Sequence, residues 1–177
     1  MPLSSRLTAQ LQATHTGTVP TGALLTAATA AGIGAINVSR DITLTDGTGA
    51  TQADRLYQAQ GTIAASSSVD LDLAGSLVDL FGSTITFVRI KGLYIAAATG
   101  NTNNVVVGAA ATNQWATLLN TTGTIQIRPG ACALFIAGST DTVGWTVTAG
   151  TGDLLRLTNG GAGSTVTYDI AIIGASA

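Results

Sequence analysis

From residue 36 onward, apolar and polar positions alternate in short runs, with turn residues every dozen positions or so. That is the period expected where successive side chains point to opposite faces of a sheet. Ile36, Val38, Ile42 and Leu44 alternate with polar neighbours until Asp46-Gly47, a dipeptide suited to positive φ. Residues 56–63 form a second candidate strand. Val69, Leu71 and Leu73 alternate with Ser68, Asp70 and Asp72, which predicts a strand with one wet face. Residues 75–82 predict a loop or a single helical turn, with Leu77, Leu80 and Phe81 packed inward. Residues 84–97 predict the longest strand, with a bulge near Lys91-Gly92 where the alternation breaks.

The second half continues the pattern. Strands are predicted at 105–109, 115–119 and 125–128, the last stopping at the turn dipeptide Pro129-Gly130. A mostly apolar strand follows at 131–137, and Trp145, Val147 and Ala149 alternate after it. Leu155 and Leu157 precede the turn residues 159–163, and Val166, Tyr168, Ile170 and Ile172 then face inward, so the chain ends in a hairpin. About nine or ten strands without a helix of ordinary length predict an all-β fold, a β-sandwich or jelly roll.

Residues 1–35 follow a different pattern and are expected to form an N-terminal arm or extended lead-in to a β-sandwich domain at 36–177. Leu3, Leu7 and Leu11 share one side of a predicted short amphipathic turn, and a Thr/Gly/Ala tract with neither period follows. The arm carries almost no charge, and Leu24, Leu25, Ile33 and Ile36 need cover. The arm is therefore expected to lie on a partner, with Leu3, Leu7, Leu11, Leu24 and Leu25 as the candidate contact residues.

Composition sharpens this picture. Of 177 residues, 46% are hydrophobic and only 9% charged, against about 25% charged in a typical soluble domain. Glutamate is absent and Lys91 is the only lysine. Sheet edges and water-facing surfaces are ordinarily guarded by charge, lysine above all, and interface cores are depleted in it. The deficit points to an assembly component whose exterior is covered by other subunits. The few positive charges are scattered over a chain of net charge -2, which argues against a nucleic-acid partner. The most apolar stretch, 22–36, is too short and too rich in Thr and Gly to span a bilayer, and it lies too far from Arg6, the only N-terminal positive charge, to read as a signal peptide, so no membrane partner is expected.

Candidate chemistry is sparse. His15, the only imidazole, falls in the arm, where a nucleophile and an acid would have to meet it. The single cysteine, Cys132, lies between alanines in an apolar strand and is expected to be a small core residue. Asp70 and Asp72 are the only close carboxylate pair; they read as solvent-face residues, with a calcium ion as the weaker alternative. The glycine clusters at 47–49, 150–152 and 160–163 lack the Lys-Ser/Thr and following helix of a phosphate loop and read as turns. Trp115 and Trp145 would stack on sugars if exposed, whereas core packing is the commoner fate. No enzyme, cofactor or resident metal is expected.

The ordered segments Asp54-Arg55-Leu56-Tyr57, residues 69–77, Phe81-Gly82, residues 87–91, Ile127-Arg128-Pro129-Gly130, Gly144-Trp145 and residues 168–174 resemble those of small structural proteins of tailed bacteriophages, most of all the head decoration or cement class. The resemblance covers about residues 36–174 and marks strands and turns, with no catalytic residue to match. It implies a virion protein on the capsid exterior, made in the host cytoplasm. Its partners would be the major capsid protein and itself, as a trimer in preference to a dimer, bracing the shell across capsomers. A tail or head-fibre component and a carbohydrate-binding module are the alternatives.

Overall fold

The computed structural model describes residues 2–16 and 33–177, and side chains at 2–14 and 36–177. Thirteen strands and no helix are present among them: β1 (Ser5–Thr16), β2 (Ile33–Leu44), β3 (Arg55–Ile63), β4 (Ser68–Asp72), β5 (Leu77–Val78), β6 (Thr84–Ile85), β7 (Arg89–Ala97), β8 (Val105–Gly108), β9 (Thr124–Ile127), β10 (Cys132–Ile136), β11 (Trp145–Thr146), β12 (Leu154–Asn159) and β13 (Val166–Ala175). The fold is all-β, built from antiparallel sheets. The count exceeds the expected nine or ten because β5, β6 and β11 are two-residue pieces and because the N-terminal segment itself forms a strand.

One sheet has the order β10-β7-β13-β3, with β11 also on β7, and a second has the order β4-β12-β8-β9. The pairs β3 with β13, β4 with β12, β7 with β10 and β8 with β9 are nested, early strands meeting late ones. Both sheets contribute to one core: Ile90, Leu93, Ile95, Ile170 and Ile172 from the first meet Leu71, Val105, Val107, Leu155 and Leu157 from the second, an arrangement consistent with a two-sheet sandwich. Strand alternation supplies these residues directly, since every second position of β12 and β13 is buried.

The irregularity expected at Lys91-Gly92 is present. Ile173 pairs with Gly92 but Gly174 pairs with Ile90, so Lys91 is the extra residue. The bulge turns the only lysine inward, where Nζ donates to the Asp141 carbonyl at 2.6 Å. Burial lowers its pKa below the ordinary 10.5.

Other expectations are corrected. Residues 3–11 are not a helical turn; β1 pairs with β2 over twelve residues in a two-stranded ribbon. Spacings of four fit both a helix and a strand, so the leucines alone did not decide between them. Residues 36–44, expected to open the sandwich, are the other strand of that ribbon. The long strand predicted at 84–97 is split, because β6 leaves to pair with β5. Residues 115–119 are not a strand: Trp115 follows a bridge at Gln114, and Asn120 donates its amide to the Ala116 carbonyl at 2.8 Å in a turn.

Candidate functional site

The ribbon is amphipathic, with one charge, Arg40, on its apolar face. Its register sets Leu7 opposite Ile42, Ala9 opposite Arg40, Leu11 opposite Val38 and Ala13 opposite Ile36, so these residues share one face. The other face carries Arg6, Thr8, Gln10, Gln12, Asn37, Ser39, Asp41 and Thr43. On that polar face the Arg6 guanidinium grips Asp41, its Nε donating at 2.8 Å to Oδ1, and the hydrogen bond from Arg6 lowers the Asp41 pKa.

The base of the ribbon is anchored. Leu7 and Leu44 are buried with Ala53, and Leu3, Ile42, Leu134, Ile136 and Ile173 pack around them. Leu134, Ile136 and Ile173 lie on the outward face of the first sheet, so the ribbon's apolar face covers the edge of that face.

Beyond the base the apolar face continues, and no described residue covers it. Every described residue from Thr8 to Thr14 and from Ile36 to Asp41 is exposed; Leu11 is 59% exposed, Ile36 56% and Val38 58%. An isolated two-stranded ribbon is at best marginally stable in water, and this one carries a row of large apolar side chains exposed along it.

Of the five residues expected to touch a partner, Leu11 is exposed on this face, Leu3 is half-buried and Leu7 is buried against the chain's own body. Leu24 and Leu25 lie outside the described residues. Ile36, Val38 and Arg40 were not singled out as contact residues, although the alternation of 36, 38, 42 and 44 was visible. What was missing was the pairing that puts them beside Leu7 and Leu11.

A second apolar surface sits at the turn between β5 and β6, where Leu80 is 72% and Phe81 74% exposed, contrary to the expectation that both pack inward. The turn itself is the cause. Asp79 Oδ1 accepts the amides of Phe81 and Ser83, both at 2.8 Å. Gly82, at φ +86°, donates its amide to the Asp79 carbonyl. Residues 80 and 81 are therefore held at the tip. They border a groove of about 580 Å³ lined also by Pro2, Leu3, Arg55 and Ile85.

The remaining candidates resolve in structural terms. Asp70 forms a bidentate pair with Arg156, at 2.7 and 2.6 Å, and Asp72 accepts the Ala74 amide at 2.9 Å; both carboxylates have protein partners. Among the described residues no group of three metal-ligating side chains occurs. Cys132 is exposed, not a core residue. On β10 it is Ala133 and Phe135 that pack inward, which turns Cys132 outward by alternation.

Trp115 is buried, its Nε1 donating to the Thr146 carbonyl at 2.9 Å, so its faces are closed to a sugar; Trp145 is half-buried against the core. His15 lies on β1 opposite Gly34. The glycine clusters are turns, as in Thr148 to Gly152, where Gly150 takes φ +74° and donates its amide to Asp153. No helix of the described residues is long and apolar enough to cross a membrane.

Comparison with protein families, curated proteins and solved structures returns no match.

Proposed function

We propose that the chain is a structural virion protein that binds the outer surface of a phage capsid and braces the shell across capsomers, without catalysis. The observation that carries this reading is the ribbon whose apolar face runs past the end of its own body with no described residue over it. A bracing subunit needs at least two contact surfaces, and the Leu80–Phe81 tip is a second, built on a separate turn. The scarcity of charge fits a molecule covered by neighbours, and the sequence resemblance to decoration proteins points the same way.

The body is best read as a jelly roll. Taking the eight longer strands after the ribbon in order, the first pairs with the last, the second with the seventh, the third with the sixth and the fourth with the fifth. This nested pattern is that of one long double-stranded hairpin rolled into two four-stranded sheets.

The decisive experiment mixes purified protein with undecorated expanded capsids. Co-sedimentation together with higher heat resistance of the shells is the expected result, and it should survive molar salt because apolar burial is not screened. Protein that stays in the supernatant with every such shell sinks the reading. Leu80→Asp combined with Phe81→Asp is expected to weaken co-sedimentation.

A further inference from the structure

We infer that the free half of the ribbon docks on a second copy of this chain, against the outward face of the β10-β7-β13-β3 sheet. The ribbon's base already uses the edge of that face in its own subunit, through Gly92, Ile136 and Ile173. Apart from Leu134, the rest of the face is left uncovered by the described residues. Register places Gln58, Ala171, Tyr94 and Leu134 in one outward row, with Leu134 already packed at the ribbon's base, and Gln60, Asp169, Ala96 and Cys132 in the next.

The two surfaces match in shape and in charge. Leu11, Val38 and Ile36 are large projecting side chains, whereas Ala96 and Ala171 leave low positions on the acceptor face beside the exposed Tyr94 ring. Arg40 is the single charged residue at positions 5–13 and 36–44 of the ribbon's apolar face. Asp169 is the single charged residue in the outward rows of the acceptor face from Gln58 to Thr62. Arg40 is exposed and makes no salt bridge among the described residues. Asp169 accepts a hydrogen bond from Gln60 Nε2 at 2.8 Å and has no cationic partner there.

Closing an apolar face over a lone arginine is costly unless an acid meets it. The second copy presents one acid, with Ala96, Ala171 and Tyr94 around it. The apolar contacts supply the attraction, and the Arg40–Asp169 pair across the interface fixes where the ribbon lies. Ribbon exchange leaves the Leu80–Phe81 tip free for the shell.

The test is a charge exchange read by sedimentation velocity over a range of protein concentrations. Arg40→Asp and Asp169→Arg are each expected to weaken self-association about tenfold or more, since each sets like charges against each other, and the double variant is expected to recover most of it. Both positions face solvent in the single chain, so circular dichroism and melting temperature should stay near wild type.

Leu11→Ser with Val38→Ser is expected to abolish self-association without unfolding the body. A wild-type chain that remains monomeric overturns the inference. So do single reversals that leave association unchanged, or a double variant that fails to recover. Capsid binding measured on the same variants separates the two readings. Shells that bind a monomeric chain through the ribbon, with Leu11→Ser/Val38→Ser losing co-sedimentation, would make the capsid protein the occupant and leave the bracing role standing. Intact self-association with no shell binding would do the reverse.

Discussion

Leu7 of β1 rests in the space that Gly92 of β7 leaves open: a Cβ on residue 92 would come within 2.2 Å of Leu7 Cδ2. Gly92 is also the residue beside the bulge at Lys91. The bulge turns the lysine inward, and the glycine next to it lets the ribbon approach the sheet. This contact between the arm and the body thus depends on a missing side chain.

Gly92→Leu is expected to force the ribbon off the sheet, at about 1–3 kcal/mol, the usual range for overpacking a closed contact. Hydrogen exchange should accelerate at residues 5–8 and 41–44 while amides of β12 and β13 keep their protection. Uniform loss of protection through the whole chain would mean that the ribbon and the body are one cooperative unit.

Asn159 is the buried polar hub of the body. Its Nδ2 donates to the carbonyls of Ile63, Ala64 and Ser164 at 3.2, 3.1 and 2.8 Å, and its Oδ1 accepts from Asn103 Nδ2 at 3.0 Å and from the Gly161 amide at 3.2 Å. Asn159→Ala strands these partners, and the loss is expected to be roughly 2–4 kcal/mol in denaturant unfolding. A change below the error of the titration would show that water replaces the amide without cost.

Lys91 gives an alkaline signature. Burial depresses its folded pKa, so the folded state holds the proton less tightly than the unfolded chain. The resulting penalty is full below the folded pKa and is relieved as pH rises toward 10.5. Lys91→Met lacks this dependence. The stability of wild type relative to Lys91→Met is therefore expected to rise with pH through the alkaline range. Comparing the two proteins also cancels Tyr57 and Tyr168, whose burial raises their pKa values and acts in the opposite direction.

Asp141 gives the acid counterpart. Its Oδ1 accepts the Gly144 amide at 2.9 Å and the Val143 amide at 2.8 Å, and these bonds hold its pKa below the ordinary 3.8. A depressed carboxyl pKa stabilises the fold above 3.8, and that contribution is lost as pH falls through the lower folded value. Asp141→Ala should accordingly be less stable than wild type near neutrality, with the gap narrowing below pH 3.8. A gap that stays constant with pH would assign the effect to packing alone.

The tryptophans provide a check on the sugar-binding alternative. Trp115 should resist acrylamide and Trp145 should be quenched in part, with neither emission changed by added oligosaccharides. Strong quenching of both indoles would contradict the closed position of Trp115.

The hairpin expected at the end of the chain does not form: β12 pairs with β4 and β8 in one sheet, while β13 pairs with β3 and β7 in the other. The chain's local pattern was enough to establish the all-β class, the bulge at Lys91, and the inward residues of β4, β12 and β13. These follow from the two-residue period and from turn chemistry, which act between near neighbours. The same period marks which residues share a face but not which face is covered. For Cys132 only the neighbouring strands decided that, and for Leu80 and Phe81 the Asp79 turn did.

The ribbon lay furthest from local reading. Leu3, Leu7 and Leu11 suit a helix as well as a strand, and their true neighbours, Ile42, Val38 and Ile36, are some thirty positions away, so only the pairing of β1 with β2 joined them into one surface. The near absence of charge was written in the sequence from the start. Where the uncovered apolar rows fall was settled by tertiary structure, because burial is a property of contacts between distant segments and not of any residue's own chemistry.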